Sequence, residues 1–108
     1  MKVFLIGASK SQAEQMIAED TIHQIDLDGQ IIALVRQKDE FFAFQSTCPH
    51  RGASLLQGDL DAGIIRCSLH GYSFDLKSGE VQLGLCSALK TYSVELTEEG
   101  LKISVPNE

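Results

Sequence analysis

The chain contains two short stretches of similar make-up, CPHRG at residues 48–52 and CSLHG at residues 67–71. The first supplies the thiol of Cys48 and the imidazole of His50, and the second supplies those of Cys67 and His70. Two sulfur donors and two nitrogen donors form a set that can hold a transition-metal group. Six of the nine glycines lie between residues 45 and 84, as expected of loops that bend around such a group.

A tetrahedral zinc ion could use the same four donors. Structural zinc sites, however, usually pair two cysteines separated by a few residues, whereas each stretch here pairs a cysteine with a histidine. The spacing therefore favours a different metal group. A zinc-stabilised interaction module is kept as the alternative from another functional class.

The Cys-x-His and Cys-x-x-His spacings resemble those of the Rieske iron–sulfur family, whose two loops hold a [2Fe-2S] cluster between them. The resemblance implies one cluster per chain, with Cys48 and Cys67 on one iron and His50 and His70 on the other. It also implies an all-β, mostly antiparallel fold. We expect one domain over residues 1–108: a Rieske-like β-sandwich base with an inserted cluster-binding subdomain at approximately residues 45–84.

Alternating apolar residues predict the strands of this base. They indicate strands at residues 3–6, 21–27, 31–36, 41–44, 91–96 and 101–105. Turns are predicted at 28–29, 38–39 and 98–100, and residues 11–18 have the spacing of one short helix after a serine cap. Little alternation is found between residues 45 and 84, so mostly loops are expected there, with 59–61 as a solvated turn.

Length and charge limit the classes of partner. The 108 residues carry 9 Lys and Arg against 15 Asp and Glu, a net charge of -6, which argues against nucleic acid and anionic membranes and favours a basic protein surface. The longest apolar runs, 3–6 and 31–35, are far too short to cross a bilayer. Three cysteines favour a reducing compartment, so we expect a cytoplasmic monomer.

Departures from the family pattern carry information about the cluster's potential. High-potential members have a disulfide across the cluster, but Ala53 and Leu69 stand at the corresponding positions. Those members also place serine and tyrosine hydroxyls near the cluster, where this chain has Tyr72 and Phe74. Fewer hydrogen bonds to the cluster predict a potential near ~-150 mV, the low end of the Rieske range.

The remaining chemistry-bearing residues are better explained by structure than by ligation. Cys86 is expected to be a small buried hydrophobe, and His23 a surface or packing residue. With only His23 left over, the chain lacks the two histidines of a non-haem iron oxygenase centre, and it contains no Gly-x-Gly-x-x-Gly motif for a flavin or nicotinamide domain.

The resemblance therefore implies an electron-transfer protein rather than an enzyme. The expected function is a carrier between a flavoprotein reductase and a terminal oxygenase, docking through Pro49, Leu69 and Leu55 around the two histidines. The second hypothesis is a small subunit fixed to the large subunit of an assimilatory nitrite reductase. The same four ligands serve both.

Overall fold

The computed structural model describes residues 2–37, 40–49, 54–67, 71–84 and 87–105. These residues form ten β-strands, one α-helix and one 3₁₀ turn. In chain order they are β1 (Lys2–Ile6), α1 (Lys10–Met16), β2 (Ile22–Leu27), β3 (Gln30–Gln37), β4 (Glu40–Gln45), the 3₁₀ turn (Leu55–Gln57), β5 (Asp59–Asp61), β6 (Ile64–Arg66), β7 (Ser73–Asp75), β8 (Val81–Leu83), β9 (Thr91–Thr97) and β10 (Gly100–Val105).

The strands form two antiparallel sheets. The larger has the order β1-β10-β9-β4-β3-β2, and the smaller has the order β5-β6-β7-β8. In the larger sheet β4 and β9 share only two residue pairs, Ala43 with Tyr92 and Phe44 with Thr91. This short junction lets the two halves of the sheet fold over one another. The result is the predicted sandwich-like base, with the smaller sheet packed against it.

Strand β3 is the middle layer of the molecule because its residues 32–35 are all fully buried. Ile32 and Leu34 face the core inside the base, together with β10 and α1. Ala33 and Val35 point the opposite way, into a second core shared with the smaller sheet. A strand covered on both faces is apolar without interruption, as this one is.

The predicted helix is present, with bounds shifted toward the N-terminus. It begins at Lys10 because the Ser9 hydroxyl accepts a hydrogen bond from the Gln12 amide (3.2 Å), and the Gln12 side chain accepts one from the Ala8 amide (2.6 Å). It ends after Met16. Ala13 and Ile17 are its buried residues against the base. No helix in the described ranges is long and apolar enough to cross a membrane.

Most described residues between 45 and 84 lie outside strands, as expected, but the sequence did not predict the sheet that this region contains. This region contains the four-stranded sheet β5–β8, and residues 59–61 form a strand paired with β6 instead of a turn. Each of these strands is three residues long. Such strands are too short to produce recognisable alternation, and their pairing partners decide their conformation. The predicted turn at 38–39 lies outside the described residues.

Candidate cluster-binding site

The first cysteine stretch leaves the base from a closed neck at the end of β4. Thr47 and Ser54 form an antiparallel bridge, and the Leu55 amide donates to the Ser46 carbonyl over 2.7 Å. Cys48 and Pro49 directly follow Thr47 in the chain. The bridge therefore places Ser54 beside the residue that precedes Cys48.

Gln45 anchors this neck, a role that nothing in the sequence indicated. Its side-chain nitrogen donates to the Thr47 carbonyl, and its side-chain oxygen accepts from the Lys90 amide, both over 2.7 Å. The Gln45 amide donates to the Lys90 carbonyl over 2.9 Å. One residue thus ties the first loop to the segment that enters β9.

The second cysteine stretch is a turn closed on itself between β6 and β7. The Cys67 amide donates to the Tyr72 carbonyl over 2.7 Å, and the Gly71 amide donates to the Cys67 carbonyl over 3.0 Å. Gly71 has a φ of 72°, a conformation that glycine adopts without strain. The Gly71 amide is therefore used within this turn.

Ser73 fixes the far side of this second loop. It is a polar residue only 4% exposed, and its hydroxyl donates to the Gly71 carbonyl over 3.2 Å. The same oxygen accepts a longer bond, 3.5 Å, from the Arg66 side chain. Because the hydroxyl is satisfied inside the protein, its burial does not leave an unpaired polar atom.

A third segment, the end of β8, meets the second loop at Tyr72. Gly84 has a φ of 120°, and a Cβ at this position would overlap the Tyr72 ring. Leu83, just before it, is 62% exposed. The end of β8 therefore lies beside Tyr72.

The two cysteines lie in the same buried cluster, although their loops are far apart in sequence. Cys48 and Cys67 are each 2% exposed, and both belong to the group of buried residues that also contains Phe44, Ile65 and Phe74. A buried cysteine often serves only as a small hydrophobic residue. Here, however, two sulfurs are brought into one apolar region by two closed loops that differ in their architecture, which fits the sulfur half of a shared metal group.

Tyr72 and Phe74 stand where high-potential members of the family are expected to have hydroxyl groups near the iron–sulfur cluster. Phe74 is fully buried in the group of core residues that contains both cysteines, and its ring carries no hydroxyl. Tyr72 is partly exposed and packs on Gly84. The expected low potential stays a prediction.

One carboxylate, at the end of β7 away from Cys67, has a shifted pKa. Asp75, at the end of β7, accepts hydrogen bonds from the amides of Ser78 (2.9 Å) and Lys77 (2.8 Å). The Ser78 bond is the main reason that the pKa of Asp75 lies below its ordinary value. Burial opposes this lowering, and the Lys77 amide and charge add to it. This turn holds the connection from β7 to β8.

Several predicted site residues lie outside the described residues: His50, Ala53, Leu69, His70 and Cys86. Within the described ranges, no three His, Cys, Asp or Glu side chains are close enough to hold a metal ion. The ligand set, both its sulfur and its nitrogen half, thus stays a prediction.

Two predictions about peripheral residues can be judged. Leu55 was expected on the docking surface, but it is fully buried, because it begins the 3₁₀ turn beneath the first loop and faces the core. His23 is a packing and surface residue, as expected. Its Nε2 lies 2.7 Å from the Thr21 hydroxyl and 3.3 Å from the Ala18 carbonyl, away from both cysteine loops.

Comparison with known proteins places this geometry in a family. A family model described as the Rieske [2Fe-2S] domain matches residues 9–93. Ferredoxin CarAc of Metapseudomonas resinovorans is 35% identical over 80 residues, covering 72% of this chain and 75% of that protein. Apoptosis-inducing factor 3 of Mus musculus is 33% identical over 84 residues, which is 76% of this chain but 14% of the mouse protein.

The fold is likewise found among solved structures. One chain in the complex of reduced oxygenase and oxidized ferredoxin in carbazole 1,9a-dioxygenase superposes with a TM-score of 0.80 at 28% identity, covering 94% of this chain and 92% of that chain. The two chains therefore share the arrangement of both sheets over nearly their full lengths.

Proposed function

This chain belongs to the Rieske [2Fe-2S] domain family, and on that premise we propose that it is a one-electron carrier. A domain of this family holds one [2Fe-2S] cluster. When bound, the cluster supplies reversible one-electron chemistry. The observation that carries the proposal is the burial of Cys48 and Cys67, each 2% exposed, in one apolar cluster below two closed loops.

The four residues of the sequence motif have distinct roles in this proposal. Cys48 and Cys67 hold one iron through sulfur, and His50 and His70 hold the other through nitrogen. The buried cysteines anchor the group to the core. Exchanging two thiolates for two neutral imidazoles removes two negative charges, which makes reduction easier than at a site with four cysteines.

The surrounding residues keep water and charge away from the sulfur side. Among the described residues, the buried group that contains Cys48 and Cys67 consists otherwise of aliphatic and aromatic side chains. The neck at Thr47 and Ser54 and the turn from Cys67 to Tyr72 fix the two loops relative to this core. Such fixed surroundings limit the structural change that accompanies gain or loss of an electron.

The partners follow from relatives of similar size. CarAc is a ferredoxin, and the structural neighbour was solved with an oxygenase. We assign this chain the corresponding place: it accepts an electron from a flavoprotein reductase and passes it to a terminal oxygenase. It is then an electron-transfer component and not an enzyme by itself, a cytoplasmic monomer in one domain with its cluster-binding subdomain at approximately 45–84.

The decisive test uses the purified protein. Stoichiometric iron and acid-labile sulfide, a brown colour and a reversible one-electron wave are expected, followed by turnover when the chain joins a reductase and an oxygenase. A colourless protein that contains zinc would establish the interaction module instead. Because the net charge is -6, transfer to a basic partner should slow as salt is raised.

A further inference from the structure

A cleft of about 510 Å³ opens between the two sheets. Its floor consists of Phe42 from β4 and Leu60 from β5, both half-buried, and its rim carries the exposed carboxylates of Asp20, Glu40 and Asp61. An apolar floor inside a charged rim is the composition of many protein docking sites. We call this feature the acidic cleft.

Hydrogen bonds hold the walls of the acidic cleft in place. The Gln37 side-chain oxygen accepts from the Gly63 amide over 2.9 Å and so ties the end of β3 to the β5–β6 turn. Asp20, whose φ is 59°, is held by its amide, which donates to the Arg36 carbonyl over 2.7 Å. The cleft is therefore formed before any partner arrives, which lowers the entropic cost of binding.

The charged side chains described at the acidic cleft are all negative. Among the residues that the structure describes, they are those of Asp20, Glu40 and Asp61. A neighbouring depression of about 330 Å³ shares Asp20 and Leu60 with it and adds the carboxylate of Asp59. The side chain of Arg36 turns away toward α1, where it donates to the Glu14 carbonyl over 3.0 Å.

The acidic cleft lies at the opposite ends of the strands from the cysteines. Glu40 begins β4, and the six residues of that strand extend about 17 Å before the neck of the first loop. Gly63 precedes Cys67 by four residues, about 13 Å of extended chain. A partner bound here leaves the cysteine loops uncovered.

We propose that the acidic cleft docks a basic segment of a partner protein, with Arg or Lys side chains on the rim and an apolar side chain on Phe42 and Leu60. Long cationic side chains fit such a surface because their stems contact the apolar floor while their heads reach the carboxylates. The carboxylates repel phosphate, so nucleic acid and anionic lipid do not suit the site. The surface is independent of the proposed function, since it uses none of the cluster ligands.

The test uses the full chain, labelled with ¹⁵N, and a synthetic peptide Arg-Leu-Arg-Lys-Leu-Arg as the probe. Amide signals in the acidic cleft, such as those of Gly63 and Leu60, are expected to shift on titration. The double variant Asp61→Asn and Glu40→Gln should weaken binding about five-fold, because it removes two rim charges. A matched double variant, Glu98→Gln and Glu99→Gln in the β9–β10 turn, should leave the affinity unchanged.

Clear outcomes overturn the proposal. They are shifts spread over the whole surface, equal weakening in both double variants, equal binding of the peptide Glu-Leu-Glu-Glu-Leu-Glu, or the same shifts produced by Ca²⁺ alone. The result does not depend on whether the chain holds an iron–sulfur cluster. Failure of this inference is thus distinguishable from failure of the proposed function.

Discussion

The aromatic ring of Tyr72 lies directly against the backbone of Gly84, which has a φ of 120°. This contact joins the second cysteine loop to the end of β8, two segments that the sequence separates. It leaves no room for a side chain at position 84. The packing of the smaller sheet, β5–β8, therefore depends on a glycine at position 84.

Gly84→Ala tests this contact. We expect it to lower the free energy of unfolding by about 2–4 kcal/mol, since a methyl group overlaps the ring and the backbone conformation disfavours alanine. Gly29→Ala is the control: Gly29 also has a positive φ, 93°, but nothing lies within 4 Å of its added Cβ, so a loss of about 1 kcal/mol is expected. Equal losses in urea unfolding would show that the Tyr72 contact is unimportant.

Cys48→Ser and Cys67→Ser test the ligand assignment. Each is expected to abolish nearly all bound iron and sulfide and to lower the melting temperature, because the group links two loops through the core. Cys86→Ser serves as the control, since the sequence predicts a structural role for Cys86. The assignment would be contradicted by full iron and sulfide in both ligand variants, measured by elemental analysis and visible absorption.

Asp75→Asn tests the turn after β7 through its pH dependence. Since hydrogen bonds hold the pKa of Asp75 below its ordinary value of 3.8, the ionised carboxylate stabilises the fold above that pH, and the stabilisation is lost as pH falls through the lowered pKa. The variant cannot titrate at this position. Its stability relative to the parent should therefore improve as acid is added below about pH 4.

Urea unfolding at several pH values measures this difference. Asp28→Asn is a suitable comparison, because the Asp28 carboxylate is exposed and its contact with Lys2 is long, 3.5 Å. It should change stability by less than about 0.5 kcal/mol near neutral pH. A relative stability of Asp75→Asn that does not change with pH would contradict the assigned hydrogen bonds.

Phe74→Tyr tests the predicted low potential. Position 74 is buried in the cluster with both cysteines, so a new hydroxyl there can donate to a sulfur ligand and favour the reduced state. A net bond of about 1 kcal/mol corresponds to a rise of roughly 40 mV for one electron. Voltammetry measures the change. Phe41→Tyr is the control: Phe41 packs against the other core, inside the base, so its variant should leave the potential unchanged.

Much of the base could be predicted because its strands are long. β3 and β10 have enough alternating or continuous apolar residues to identify them, and the turn at Asp28 and Gly29 is visible as a hairpin signal. The sheet β5–β8 was missed because three residues are too few for a period. The role of Gln45 was missed because an amide side chain gives no local indication of a partner at Lys90.

The sequence alone indicated the chemistry: its Cys-x-His and Cys-x-x-His spacings resemble those of the Rieske family, and ligand type and spacing are properties of a few neighbouring residues. Tertiary structure decided where those residues lie. Cys48 and Cys67 meet in one core only after β4, β6 and β7 have paired, and the acidic cleft exists only because two sheets pack side by side. Such contacts join residues distant along the chain, so no local pattern contains them.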